Sequence, residues 1–369
     1  MLRKGTFILM KTKIQDMTSG SPGRLIILFA IPLMLGNICQ QLYTMVDTMV
    51  VGQVAGVEAL AALGAVDFLM WVVTGISTGL TQGFSIQLSQ YYGAKDFENL
   101  RKSLAHSYRL TAFIAIGVFI LSQSFASLVL TGLHTPSNII GMSLLYLRII
   151  FCGIPATAAY NMFASALRAM GNSKTPLTAM IIASVLNVSL DILFVAGFGW
   201  GVAGAAIATV IAQSFSAVYC FLILRRIDIV HLTRADFMPA SGMNARLMKL
   251  GIPVVFQNII IGVGGLVVQY VINGYGFLFV AGFTATNKLY GLLEMAAISY
   301  GYAIVTYVGQ NLGAGKIDRI RKGVRSSMLL SLLTSLIISA AMFLFGKNIL
   351  SLFISGEPQQ TQQDRKSVV

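Results

Sequence analysis

Charge is what this sequence has least of. Only 11% of its 369 residues are Asp, Glu, Lys or Arg, less than half of the roughly 25% that a soluble domain carries on its wet surface. That scarcity excludes a soluble enzyme. The 56% apolar content excludes a disordered chain, and glycine without a three-residue period excludes a collagen-like repeat. Acidic residues are the rarer sign, 13 against 26 Lys and Arg, for a net charge of +13. Such an excess invites a nucleic-acid partner, but the basic residues sit in short loops between apolar runs and gather on no one face, so no nucleic-acid partner is expected.

Cysteine is equally sparse. Cys39, Cys152 and Cys220 are odd in number, lie in apolar segments and form no CxxC pair, so they read as small hydrophobes and not as a disulfide framework. His106, His134 and His231 are loop-proximal and scattered, with no HExxH, which leaves zinc or histidine chemistry without a scaffold. No serine has a triad partner set. Gly199-Trp200-Gly201-Val202-Ala203-Gly204 has the GxGxxG spacing, yet apolar runs flank it and no acidic residue follows about 20 positions on. It reads instead as a tight turn leading into small-residue helix packing. No enzyme and no cofactor are expected.

What is present is hydrophobic length, with a mean hydropathy of +0.77. A helix needs roughly 20 mainly apolar residues to cross a bilayer. Nine segments qualify, at about 25–50, 57–90, 105–130, 139–166, 175–196, 202–223, 247–272, 278–309 and 326–354. They are too long and too continuously apolar for barrel strands. The expected class is an all-α integral membrane protein with nine transmembrane helices.

The loops orient it. Arg3, Lys4, Lys11, Lys13 and Arg24 precede the first span, and every second loop after it is basic: Lys95, Arg101 and Lys102, then Arg168 and Lys174. Arg225, Arg226, Arg234, Arg246 and Lys249 follow, then Lys316, Arg319, Arg321, Lys322 and Arg325. The intervening loops near 52–57, 131–138, 197–201 and 273–277 have no Lys or Arg. This alternation puts the N-terminus in the cytoplasm of a multi-pass plasma-membrane protein. Residues 1–24 read as a cytoplasmic leader without a cleavage site, and Thr18-Ser19-Gly20-Ser21-Pro22 offers capping residues and a proline for helix entry.

The polar stretch 224–246 divides two similar halves. Ala30-Ile31-Pro32 with Asn37 returns as Gly251-Ile252-Pro253 with Asn258, and Gln90-Tyr91-Tyr92-Gly93-Ala94 with Arg101-Lys102 returns as Gln310-Asn311-Leu312-Gly313-Ala314 with Arg321-Lys322. Copies of six spans share one orientation, which predicts two parallel six-helix repeats. The organisation expected is therefore a first lobe at 25–223, a linker at 224–246 and a partial second lobe of three helices at 247–354. A polar tail at 355–369 follows, whose abruptness suggests truncation after the ninth helix. A genuine nine-span protein is the alternative.

Ionisable groups inside spans are costly and are functional candidates. Asp191 stands deep in the fifth span, four residues after Asn187, so both share a helix face. A carboxylate beside an amide oxygen can hold Na+; alternatively, desolvation lets it take up and release H+. Thr209 on the sixth span could add a hydroxyl. The rival reading is an Asp that caps a helix or bonds a neighbouring backbone. Asp47, near the outer end of the first span, reads on depth alone as interfacial, as does Asp67 at the start of the second. Glu294 lies six residues from Lys288, a poor offset for an intrahelical pair, and stays a substrate-cavity candidate. Arg148 either snorkels or pairs across the bundle.

Several of these pieces resemble the multidrug and toxic compound extrusion (MATE) family of bacterial efflux transporters. The resemblance rests on Ile31-Pro32-Leu33-Met34-Leu35-Gly36-Asn37, Val46-Asp47-Thr48 with Val51-Gly52, and Ala59-Leu60-Ala61-Ala62-Leu63-Gly64. It continues through Leu167-Arg168-Ala169-Met170-Gly171-Asn172-Ser173-Lys174-Thr175-Pro176, then Asn187 with Asp191, and Gly201-Val202-Ala203-Gly204-Ala205-Ala206. It implies a V-shaped pair of six-helix lobes, in a monomer, that exports organic cations in exchange for H+ or Na+ by alternating access. It also implies a cation-coupling site at Asp47, Asn187, Asp191 and Thr209, with Tyr146 and Asn161 lining the first-lobe cavity. Two other readings stay open: a lipid or lipid-linked-sugar flippase of related architecture, which needs cations such as Arg148 and Lys288 around its cavity, and a non-functional truncated membrane remnant.

Overall fold

Backbone polar groups in hydrocarbon must bond within their own segment, so long apolar runs of this kind have the helix as their one-chain solution. A computed structural model of the protein describes residues 14–133, 135–273 and 277–353, and within them every regular segment is helical. In chain order these are α1 (Pro22–Val50), α2 (Val57–Gly93), α3 (Phe97–Gly132), α4 (Ile140–Cys152), α5 (Ile154–Ala169), α6 (Lys174–Asp191), α7 (Gly201–Leu224), α8 (Met243–Asn273), α9 (Phe277–Gly313) and α10 (Ile317–Phe353). The leader at 1–13, His134 and the tail at 355–369 lie outside the described residues, as does the side chain of Lys288.

Local chemistry sets the ends. Pro22 occupies the first turn of α1, where its missing N–H removes no hydrogen bond. The Asp96 carboxylate accepts from the Asn99 backbone N–H and caps α3. Between α7 and α8, Thr233 and Asp236 form a reciprocal capping box on a short 3-10 turn.

Among the described residues, seven helices are long and apolar enough to cross a membrane: Pro22–Ala55, Glu58–Gly93, Phe97–Gly132, Lys174–Gly197, Gly201–Leu224, Met243–Gly265 and Ile317–Ala340. Two shorter helices pass the same test only when taken together, which makes up to eight. The segment expected as a single helix at 139–166 is α4 followed by α5, bent by 46° at Gly153. Pro155 explains the break, because it has no N–H to continue the α4 ladder and disfavours helix in the residue before it. Large apolar side chains such as Phe113, Met328 and Ile337 point outward around the bundle, the pattern of a surface solvated by lipid.

α6 packs on α7 and on α1, and α5 packs on α2 and α7. α8 lies along α2, while α9 touches α1, α2 and α10. At one end of α2 and α9 the two backbones meet reciprocally. A Cβ added at Gly93 would collide with the Gln310 carbonyl, and one added at Gly313 would collide with the Gln90 carbonyl.

The leader residues just before α1 are docked at this same end. Met17 is fully buried; its N–H donates to Gln310 Oε1 (3.0 Å) and its carbonyl accepts from Asn311 Nδ2 (2.9 Å). Arg319 of α10 reaches Asn311 Oδ1 and the Gly20 carbonyl, both at 2.9 Å, and Gln15 N–H reaches the Gly171 carbonyl. His106 is likewise not a free loop residue. It is buried in α3, 2.7 Å from Asn244 Oδ1 and 3.0 Å from the Met238 carbonyl, so it ties α3 to the first turn of α8 and to the segment before it.

Candidate functional site

At the opposite end of α1 and α6 the backbone does something unusual twice. α1 runs into a π-helical turn at Val51–Ala55, and α6 runs into another at Ile192–Gly197. π turns are rare and mark functional sites often enough to draw notice. Each follows directly on an acidic residue of interest: Asp47 lies in the last turn of α1, and Asp191 is the final residue of α6.

Both carboxyl groups are inside the protein. Asp191 and Asn187 are fully buried and Asp47 is 6% exposed. Depth along the chain suggests an interfacial, solvated Asp47; in the structure its side chain is buried. Asp47 and Asp191 are near enough to interact electrostatically. Asp67 is exposed and also lies within Coulombic reach of Asp47.

The oxygens of this cluster are short of partners. Asp47 Oδ1, Asn187 Oδ1 and both carboxylate oxygens of Asp191 are buried without a hydrogen bond. The Asn187 amide nitrogen is held instead: it donates to Thr209 Oγ1 at 3.4 Å, across from α6 to α7. This bond holds the amide by its nitrogen and leaves its oxygen without a partner. The alternative in which Asp191 caps a helix or bonds nearby backbone does not hold, because neither oxygen has such a bond.

Two buried carboxyl groups, an amide oxygen and a hydroxyl are hard oxygen ligands, and among them only the hydroxyl has a proton to donate. Leaving such carboxylates charged and unpaired costs several kcal/mol each, so the arrangement favours uptake of a cation or of protons. Among the described residues no group of three or more His, Cys, Asp or Glu converges, so the donor set is too lightly charged for a dedicated divalent cage.

Of the further candidates, Tyr146 of α4 is buried close to the same carboxyl groups. Asn161 of α5 donates to Thr78 Oγ1 of α2 at 3.3 Å, one bundle contact away. Glu294 stands exposed on α9, five residues from Ser299, whose hydroxyl accepts from Asn37 of α1 at 3.2 Å. It is not a member of the buried pair. Arg148 is exposed on α4, and its carbonyl accepts from Gln123. Two residues the sequence did not single out belong to the site's surroundings. Tyr43 is one turn before Asp47, and Gln213, one turn after Thr209, has a buried, unpartnered Oε1. Four-residue spacing from Asp47 and from Thr209 was the available signal.

Comparison with known proteins gives a consistent picture. The family model described as MatE matches residues 32–193 and again 253–359. The probable multidrug resistance protein YpnP of Bacillus subtilis is 32% identical over 343 residues, spanning 93% of this chain and 77% of that protein. The probable multidrug resistance protein NorM of Thermotoga maritima is 25% identical, covering 90% and 72%. Among solved structures, an outward-facing multidrug resistance MATE transporter of the MOP superfamily superposes with a TM-score of 0.90 at 22% identity, over 97% of this chain and 80% of that one. A MOP superfamily transporter from Pyrococcus furiosus superposes with the same score at 23% identity, over 97% and 79%. These two are likenesses of fold.

Proposed function

Because this chain belongs to the multidrug and toxic compound extrusion family, we propose that it exports organic cations across the plasma membrane in exchange for H+ or Na+. The observation that carries this reading is the pair Asp47 and Asp191: both buried and both short of hydrogen-bond partners. A membrane protein retains such groups where their charge state is used.

The coupling follows from that geometry. H+ or Na+ reaching the pair neutralises its charge; Asn187 Oδ1 and the Thr209 hydroxyl complete the oxygen set around the ion. The helix ends respond, because each carboxylate adjoins a π turn whose extra residue per turn is readily redistributed. A cationic substrate in the central cavity, which Tyr146, Asn161 and Glu294 border, favours the ion-free, negative state. By linkage, ion and substrate disfavour each other by the same factor. Alternating access then carries them in opposite directions.

The architecture of the reading is nine spans in a monomer with the N-terminus inside, six in a first lobe and three in a second of parallel sense. The two separate MatE matches, starting at Pro32 and Pro253, support the repeat, as does the reciprocal Gly93–Gln310 and Gly313–Gln90 contact. Accumulation of a fluorescent lipophilic cation by a pump-deficient bacterium tests the function. The chain should lower accumulation and its Asp191→Asn variant, at equal membrane abundance, should not. Equal accumulation in cells with and without the chain would refute export.

A further inference from the structure

A second cavity lies away from the carboxylate pair, between α3, α5 and α7. Its volume is about 330 Å³, and its walls include Tyr108, Thr111, Ala112, Pro155, Phe163 and Phe221. Ala112, Pro155 and Phe221 are exposed, so the cavity opens sideways onto the lipid-facing surface of the first bundle. Tyr108 and Phe163 pack with the apolar cluster that also holds Leu224, Val230 and Met243, near the linker end of the molecule. In the orientation proposed above, this is the inner leaflet.

Three features make it a site and not a packing fault. The aromatic rings form a continuous wall: Tyr108 meets Phe163 edge-on at 5.3 Å, and Phe163 meets Phe221 at 5.2 Å. No lining residue carries a charge. Two lining residues carry hydroxyls, Tyr108 and Thr111, and the one on Thr111 is buried without a partner. Thr111 is only 8% exposed and its Oγ1 has no hydrogen-bond partner. Threonines in helices ordinarily satisfy that hydroxyl on the preceding turn, as Thr44, Thr48, Thr78, Thr131 and Thr178 all do here. Thr111 does not bond its own helix; it lines the cavity with a free donor. A buried hydroxyl left unpaired is destabilising, and an acyl chain cannot relieve it.

We propose that this cavity binds a planar heteroaromatic molecule of two or three fused rings drawn from the bilayer, with one nitrogen or oxygen accepting from Thr111. The volume suits such a ligand, and an apolar pocket with a small number of placed polar groups is the usual form of a small-molecule site. The offset and edge-on rings supply faces for stacking. Loading occurs from the membrane, through the opening at Ala112, and is independent of the coupling ions.

Acridine is the probe, with anthracene as its all-carbon counterpart of the same shape, titrated by fluorescence anisotropy into the full chain in lipid nanodiscs. Mildly alkaline pH keeps acridine uncharged, and empty nanodiscs correct for partition. Thr111→Val should weaken acridine about 5-fold, one neutral hydrogen bond's worth, and leave anthracene unchanged. Ala112→Trp, a substitution at an exposed position, should block the opening and weaken both probes by about 10-fold or more. Binding insensitive to both variants overturns the proposal, as does acridine binding that is lost in Asp191→Asn and retained in Thr111→Val. Since the readout is binding, a chain that binds acridine here yet exports no dye keeps this inference and removes the export reading.

Discussion

The Asn187 amide nitrogen stands 3.4 Å from the Thr209 hydroxyl, so a single polar bond joins α6 to α7 one turn from the fully buried Asp191. Asn187 Oδ1 and both Asp191 carboxylate oxygens are buried without a hydrogen-bond partner. If these oxygens hold the coupling ion, Thr209→Val should leave the fold intact and raise the ion concentration for half-maximal transport about 5-fold, the effect of losing one hydrogen bond of about 1 kcal/mol. Ion titration of dye efflux in vesicles measures it.

Asp47→Asn and Asp191→Asn should each abolish coupled export, and the double variant should be no worse than either, because the two groups act as one unit. The same substitutions remove an unpaired buried charge, so the thermal midpoint in detergent at neutral pH should rise by a few degrees. A melting curve and an efflux assay on the same preparations separate loss of function from loss of fold.

Much of this site could be read from residues alone. The four-residue spacing of Asn187 and Asp191 put both on one helix face, and the apolar runs located most of the spans. What stayed hidden depends on partners distant in sequence or on backbone states without a periodic signature. The π turns after Val50 and Asp191 have the same apolar composition as ordinary helix, so nothing in the pattern distinguishes them, and Asp47 therefore read as interfacial. The bend at Gly153 did have a local signal in Pro155, but continuous hydrophobicity across α4 and α5 outweighed it. His106 finds its partners 132 and 138 residues away, at Met238 and Asn244, beyond the reach of any local rule.

The docked leader gives a third expectation. Met17 is fully buried against α9, and Arg319 makes charge-assisted bonds to Asn311 and Gly20 that hold the assembly. Such bonds are worth about 1.5–3 kcal/mol each. In a background lacking Cys39, Cys152 and Cys220, Met17→Cys should resist a membrane-impermeant thiol reagent. Adding Arg319→Ala should increase its labelling about 10-fold or more.

Asp16 supplies a pH dependence at this end. Burial alone would raise its carboxyl pKa, but hydrogen bonds from Thr18 and Ser19 outweigh burial and hold it below the ordinary aspartate value. A depressed folded pKa means that the contribution is complete above the unfolded value and disappears as pH falls through the folded one. Hydrogen exchange at the Thr18 amide, which donates to Asp16 Oδ1 at 2.7 Å, should therefore be protected at neutral pH. That protection should be lost in strong acid, and Asp16→Asn should reduce it at neutral pH.

The reciprocal contact of α2 and α9 predicts a steric failure. Gly93→Ala drives a methyl into the Gln310 carbonyl, and Gly313→Ala drives one into the Gln90 carbonyl. Overpacking of this kind costs about 1–3 kcal/mol; each variant should lower the thermal midpoint while Gly117→Ala, which meets nothing within 4 Å, should not.

The most direct test of the account is transport by the purified chain in proteoliposomes. A fluorescent organic cation is placed on one side, and a gradient of H+ or Na+ is imposed from the other. The account predicts dye movement against the ion gradient by the unaltered chain, collapse of that movement when the gradient is dissipated, and none in Asp191→Asn. Dye movement of equal size in the unaltered chain and the Asp191→Asn variant would contradict it.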